Sequence, residues 1–315
     1  MKFGLGAAIT WALDTVILSI ALANAAFFST ELAIALAAFV STFLHDACSA
    51  IYMWIYMGIK RQLGNVKRAL FSKAGKWMIL ASVLGAPIGM TGYVLAINNI
   101  GASYTAAISA FFPALGAVLS YVFLKERMKG YQWVGLLICL CGVAVLGYSP
   151  DESVPGSWPL GVAGALVCTF GWALEAVVMA YCMKGLDIGD EHALLIRQTT
   201  SMVVYALIIL PVLGGWIVAA DVIVTTAMPV IALSALLGTV SYLCYYKAIV
   251  RIGAAKSMAL NITYSAWAIP LSLLLLGTMP TATGVACAIV IIFGSIMAST
   301  DVKALMSRGN ADAES

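Results

Sequence analysis

Charge is what this sequence has least of. Only 10% of its 315 residues are Asp, Glu, Lys or Arg, while 63% are hydrophobic and the mean hydropathy is +1.00. A water-soluble domain devotes about a quarter of its residues to charge, so this chain lacks the means to cover a solvent-facing surface. The composition argues against a soluble enzyme, a nucleic-acid binder and a secreted disulfide scaffold. Histidine is scarcer still, with only His45 and His192. No phosphate-binding glycine loop, zinc-ligand spacing or nucleophile elbow is present, so neither ATP coupling nor hydrolysis is expected, and no cofactor or metal. The seven cysteines are odd in number and all fall in apolar stretches. They read as small buried hydrophobes rather than a disulfide framework.

What is present is apolar sequence in long runs. A bilayer-spanning helix needs roughly 20 apolar residues, and ten such runs lie near 3–23, 31–59, 77–97, 103–124, 131–148, 159–182, 192–213, 228–250, 256–276 and 281–299. The expected fold is an all-α integral membrane protein of ten transmembrane helices. Barrel strands are excluded, because these runs lack period-2 alternation. The first run is read as a span, not a signal peptide, although Lys2 precedes it and Ala23-Asn24-Ala25 looks like a cleavage site. It is longer than a signal core and carries Asp14. The second run exceeds one crossing and must tilt, kink or project.

The few charges are placed on one side. With a cytoplasmic N-terminus, the even-numbered connections and both tails hold 15 of the 17 basic residues. These include Lys60, Arg61, Lys67, Arg68, Lys125, Arg127, Lys184, Arg251, Lys303 and Arg308. The opposite loops carry Glu31, Asp151, Glu152 and Asp221. The positive-inside rule therefore predicts both termini in the cytoplasm. The basic residues are topology determinants and not a nucleic-acid footprint.

The sequence also repeats itself. Trp11-Ala12-Leu13-Asp14 recurs as Trp172-Ala173-Leu174-Glu175, 161 residues on. From the second span the offset becomes 152, matching Tyr93 with Tyr245, Ile100-Gly101-Ala102 with Ile252-Gly253-Ala254, and Gly142 with Gly294. Residues 1–150 and 158–300 form the two expected five-helix repeats, followed by a cytoplasmic tail at 301–315. Five is odd, so the halves must cross the membrane in opposite senses, the arrangement that puts a transporter's substrate between them.

Asp14, His45, Asp46, Glu175 and Arg197 fall inside spans. Each charged group there costs on the order of 2.5–3.5 kcal/mol on insertion scales, so these should face a wet cavity or pair with one another. Asp46 with Arg197 reads equally well as a structural ion pair. Glu175 follows Trp172 by three residues, as Asp14 follows Trp11, so each acid shares a helix face with a tryptophan. Asn261, Tyr264 and Trp267 are spaced to share one broad face of the ninth span, and Tyr242, Tyr245 and Tyr246 lie in the eighth. Rings and a carboxylate in a dry cavity suit an organic cation. Trp54, Trp77, Trp133, Trp158 and Trp216, near span ends, fit an interfacial belt. Gly85-Ala86-Pro87-Ile88-Gly89, Pro113 and Pro270 mark expected bends.

The chain resembles the drug/metabolite transporter superfamily, its EamA-type members, and among them the LicB-type bacterial choline transporters. The resemblance rests on His45-Asp46, Gly85 to Met90, Trp172 with Glu175, Ala193 to Gln198, Tyr242 with Tyr245-Tyr246, and Asn261 with Tyr264 and Trp267. It implies import of choline or a related quaternary amine with proton coupling, in the inner membrane of a bacterium. It further implies an aromatic box from Trp11, Trp172, Tyr245, Tyr264 and Trp267, with Asn261 beside it and Glu175 as the anionic partner. Asp14, His45, Asp46, Arg197 and Gln198 are the coupling and ion-pair candidates. Asp14 departs from that group's pattern. The superfamily also exports amino acids, drugs and other metabolites, and that alternative stays open beside a remoter one, a non-transporting receptor. Oligomeric state is open, with a homodimer among the options.

Overall fold

The computed structural model describes residues 1–147, 156–186 and 188–299, without the side chains of 102, 103 and 107. The boundary at 150, the acidic loop residues Asp151 and Glu152, and the tail with Lys303 and Arg308 lie outside the described residues. Among the described residues the chain is helical, without strands.

Helix starts follow local capping chemistry. α1 (Lys2–Leu22) leads to α2 (Glu31–Ile59), whose N-cap Thr30 accepts a hydrogen bond from the Ala33 amide. At 29 residues α2 is about 44 Å long, more than a bilayer core is thick, so it tilts or projects. A short amphipathic α3 (Leu63–Leu70) carries Lys67 and Arg68, and Ser72 then caps α4 (Lys73–Val83). A wide π-type turn at Leu84–Ile88 contains Pro87, whose missing N–H and ring bulk loosen the helix before α5 (Gly89–Ser109). α6 (Phe112–Leu124) and α7 (Gly130–Gly147) complete the first half.

The second half begins with α8 (Trp158–Gly185) and α9 (Asp190–Val204). A second wide turn at Tyr205–Ile209, just before Pro211, leads to α10 (Leu210–Leu213) and α11 (Gly215–Ile223). α12 (Ala227–Ile252), α13 (Ala254–Asn261), α14 (Tyr264–Leu276) and α15 (Ala282–Ser299) follow.

Nine described segments are each long and apolar enough to cross a membrane by length and composition. The run at 103–124 is the exception. Its helix is an extension of α5 past Gly101 (φ 80°, ψ 164°), stops at Ser109, and restarts as the short α6. Pro113, at the start of α6, has no N–H to give the Ser109 carbonyl. The ninth run breaks at the matching place: Gly253 (φ 94°, ψ 160°) precedes α13, and Ile262–Thr263 separates it from α14. The first and last residues of α6 and α14, and of α7 and α15, stand 152 residues apart, the register of the sequence match.

The halves interlock instead of folding side by side. α1 runs along α12, α5 along α8, and α7 along α15. Each of these pairs joins one helix from before the 148–155 segment to one from after it. Apolar side chains such as Leu207, Val212 and Leu274 point outward and are exposed, as lipid requires, and so are Trp54, Trp77, Trp158 and Trp216. Two ion pairs tie helix ends on the basic side: Lys60 with Glu191 at 2.7 Å and Lys184 with Glu126 at 2.9 Å. Glu126 also accepts from the backbone amides of Ala254 and Ala255, capping α13 where Gly253 turns the chain.

Gly101 and Gly253 occupy backbone geometry that only glycine adopts without strain. Gly101→Ala and Gly253→Ala should each destabilise the protein by about 1–3 kcal/mol. The loss should be larger at Gly253, where a Cβ also meets the Glu126 carboxylate at 2.7 Å. Gly64→Ala, in open space on α3, should leave thermal unfolding in detergent unchanged or slightly raised. Equal melting temperatures for all three variants would contradict this account.

Candidate functional site

The charged residues that the sequence leaves inside spans converge. Asp14 on α1, His45 and Asp46 on α2, Glu175 on α8 and Arg197 on α9 are all buried. They form one continuous chain. His45 Nε2 lies 3.2 Å from Asp14 Oδ1, and its Nδ1 lies 3.2 Å from Asp46 Oδ1. Arg197 Nη1 is 3.5 Å from Asp46 Oδ2, and its Nε donates to Glu175 Oε1 at 2.9 Å. Polar neighbours complete the shell. Ser201 donates to Asp46 at 2.6 Å, Ser234 donates to Asp14, and Arg197 donates to Gln198 Oε1 at 2.7 Å. The pairing of Asp46 with Arg197 is thus one contact in a longer series, and the closer partner of Arg197 is Glu175.

Glycine makes the fit possible on both sides. A Cβ at Gly85, in the wide turn, would collide with the Glu175 carboxylate, and one at Gly238 on α12 would come within 2.7 Å of Asp14 and His45. A π-type turn at such a place is a common way to aim backbone at a site.

Aromatic side chains line the same space. Trp11 meets Tyr242 edge-on at 5.0 Å and Tyr264 at 6.2 Å. Trp172 stacks near Tyr93 at 5.8 Å and meets Phe112 edge-on at 5.7 Å. Tyr242, Tyr245 and Tyr246 continue the wall, with the Arg197 guanidinium 4.4 Å over the Tyr242 ring. Together these groups enclose a cavity of about 250 Å³ between helices of both halves. That is room for a small metabolite, below the usual range for drug-sized ligands.

Of the residues singled out from sequence, Trp11, Trp172, Glu175, Tyr245, Tyr264, Asn261, Asp14, His45, Asp46 and Arg197 all line this cavity. Gln198 is buried behind Arg197 and reaches the site only through it. Trp267 is not in the lining, and its indole N–H is buried without a partner among the described residues. Successive three-residue steps drift around a helix, so Trp267 sits about 120° from Asn261 before the break at Ile262–Thr263 turns it further. Phe112 was missed. It occupies the place 152 residues before Tyr264, so the repeat offset would have found it. Tyr93, matched to Tyr245 by the same offset, packs against Trp172. No group of three or more His, Cys, Asp or Glu among the described residues is arranged to hold a metal.

Known proteins resemble this chain along most of its length. A model of the EamA-like transporter family matches it twice, over residues 1–148 and 159–300. Protein LicB of Haemophilus influenzae is 30% identical over 233 residues, 74% of this chain and 76% of that protein. An uncharacterized transporter of Clostridium kluyveri is 26% identical over 225 residues, covering 70% and 71%. A protein crystal structure shares the fold with a TM-score of 0.64 at 16% identity, covering 95% of both chains.

Breaking a buried ion pair by removing one partner costs about 3–5 kcal/mol, because the other charge is left uncompensated. Arg197→Gln strands both Glu175 and Asp46 and should lower thermal stability by that order. The double variant Arg197→Gln/Glu175→Gln should recover a substantial part of the loss. If the double variant is no more stable than the single one, the Glu175–Arg197 contact is not what holds this corner.

Proposed function

The chain belongs to the EamA-like transporter family, and on that premise we propose that it imports choline or a related quaternary amine across the inner membrane of a bacterium by proton-coupled alternating access. The observation that carries the substrate class is an aromatic cavity with a charge deficit. Asp14, Asp46 and Glu175 face Arg197 and His45, so with the three acids ionised the wall carries one more negative than positive group even when the imidazole is protonated. A monocation balances that deficit, whereas a zwitterionic amino acid or a neutral metabolite leaves it standing. A quaternary ammonium has no N–H to donate, so ring faces must hold it, at about 2 kcal/mol per desolvated contact. Trp11, Trp172, Tyr242, Tyr245 and Tyr264 supply those faces around the cavity.

The transport mechanism rests on architecture. The double match to the family model and the helix ends 152 residues apart support ten crossings arranged as two inverted five-helix repeats. The basic side, read as cytoplasmic, then holds both termini. A site between interlocked halves becomes accessible to either face when one half rocks against the other. His45, Asp14, Asp46 and Glu175 are the groups available to carry the coupling proton.

Purified protein in proteoliposomes should take up radiolabelled choline saturably, and faster under an inward proton gradient. Trp172→Ala should weaken apparent affinity about 30-fold, the equivalent of one such ring contact. Absence of choline flux, with proton-driven movement of amino acids or other metabolites instead, would move the assignment to an exporter of those compounds.

A further inference from the structure

The cavity has two corners related by the repeat. Trp172 and Glu175 on α8 answer to Trp11 and Asp14 on α1, and Arg197 on α9 answers to His45 on α2 at the 152-residue offset. In each corner the acid of the first helix touches the base of the second: Glu175 with Arg197 at 2.9 Å, and Asp14 with His45 at 3.2 Å. The backbone arrangement is shared, and the bases differ. A guanidinium is charged under all working conditions, whereas an imidazole carries charge only when protonated.

This difference decides where the uncompensated negative charge lies. Arg197 answers for Glu175 directly and lies beside Asp46 as well. His45 is divided between Asp46 and Asp14. Among the described residues the other donor to the Asp14 side chain is the neutral hydroxyl of Ser234, and none reaches Asp14 Oδ2. Yet Asp14 is only 5% exposed and lines the cavity. It stands one helical turn from Trp11, whose ring meets Tyr242 and Tyr264. Tyr242 already has the Arg197 guanidinium over its ring, so this wall accommodates a cation against an aromatic face.

We propose that Asp14, and not Glu175, is the counter-charge that selects a cationic substrate, seated beside Trp11, Tyr242 and Tyr264. Glu175 is held by Arg197 and positions that arginine against Asp46. The assignment rests on the organic-cation reading of the cavity and sharpens it by naming the acid that meets the cation.

The test compares two ligands of one shape: choline and the neutral alcohol in which carbon replaces the quaternary nitrogen. Binding is measured by titration calorimetry on purified protein in detergent. The native protein should prefer choline by about 30-fold or more, the order expected when a buried charge meets its partner. Asp14→Asn should still bind the neutral alcohol but lose the preference to within about threefold. Glu175→Gln should keep the preference, whatever it does to stability. Should Asp14→Asn fail to fold, Asp14→Asn/His45→Gln replaces the ion pair with two amides and is held to the same outcome.

Preference retained without Asp14, or lost through Glu175→Gln alone, overturns the assignment and leaves the organic-cation reading intact. A native protein that binds neither ligand, or both equally, sinks that reading and this one with it.

Discussion

The interaction on which the rest depends is the buried chain of charge from Asp14 through His45, Asp46 and Arg197 to Glu175. Ionised groups in a low-dielectric interior must be paired or hydrogen-bonded, and here four helices have to be in register for that to happen at once. α1, α2, α8 and α9 each supply a member. Asp46 is the joint, touching the base of its own half and the base of the other. Packing follows from this demand. Gly85 and Gly238 keep the neighbouring helices free of side chains where the acids sit, and the wide turn at Leu84–Ile88 brings Gly85 to Glu175.

A second constraint is lipid, which leaves every backbone group inside the membrane to find its partner within the protein. Breaks are therefore affordable only where the chain is buried. The two glycine-led breaks, at Gly101 and Gly253, recur at the same register, and each feeds a short helical stretch, one ending at Ser109 and the other at Asn261, which lines the cavity. The backbone keeps its internal symmetry through these breaks. The side chains do not. Glu126 caps α13 after Gly253, but Thr278 stands at the matching place in the other half. Phe112 faces Trp172 where Tyr264 faces Trp11, and His45 stands where the other half has Arg197. The two faces of the membrane, and the two corners of the cavity, are made different by substitutions on a common frame.

Residue chemistry and periodicity made much of this visible in advance. The scarcity of charge excluded a water-facing surface, the length of the apolar runs required helices, and the 152-residue register survived into the ends of α6, α7, α14 and α15. The same register places Phe112 opposite Tyr264, and Phe112 lines the cavity. What periodicity misjudged was continuity. The runs at 103–124 and 256–276 look like single helices because an interruption by glycine, or by ordinary residues such as Ile262 and Thr263, barely alters hydropathy. Trp267 fell out of the site for the same reason, since a spacing rule assumes an unbroken and untwisted helix.

By itself, the sequence determined that the protein is helical, membrane-embedded, internally repeated and forced to gather a handful of charges away from lipid, because those properties are local or additive along the chain. Only the tertiary structure decided which charge meets which. Arg197 is adjacent in sequence to Gln198 and could have served Asp46 alone. Its pairing with Glu175, and the lighter compensation left to Asp14, depend on how four helices are rotated and how closely glycine lets them approach. Those are properties of packing between distant segments, and no one-dimensional pattern contains them.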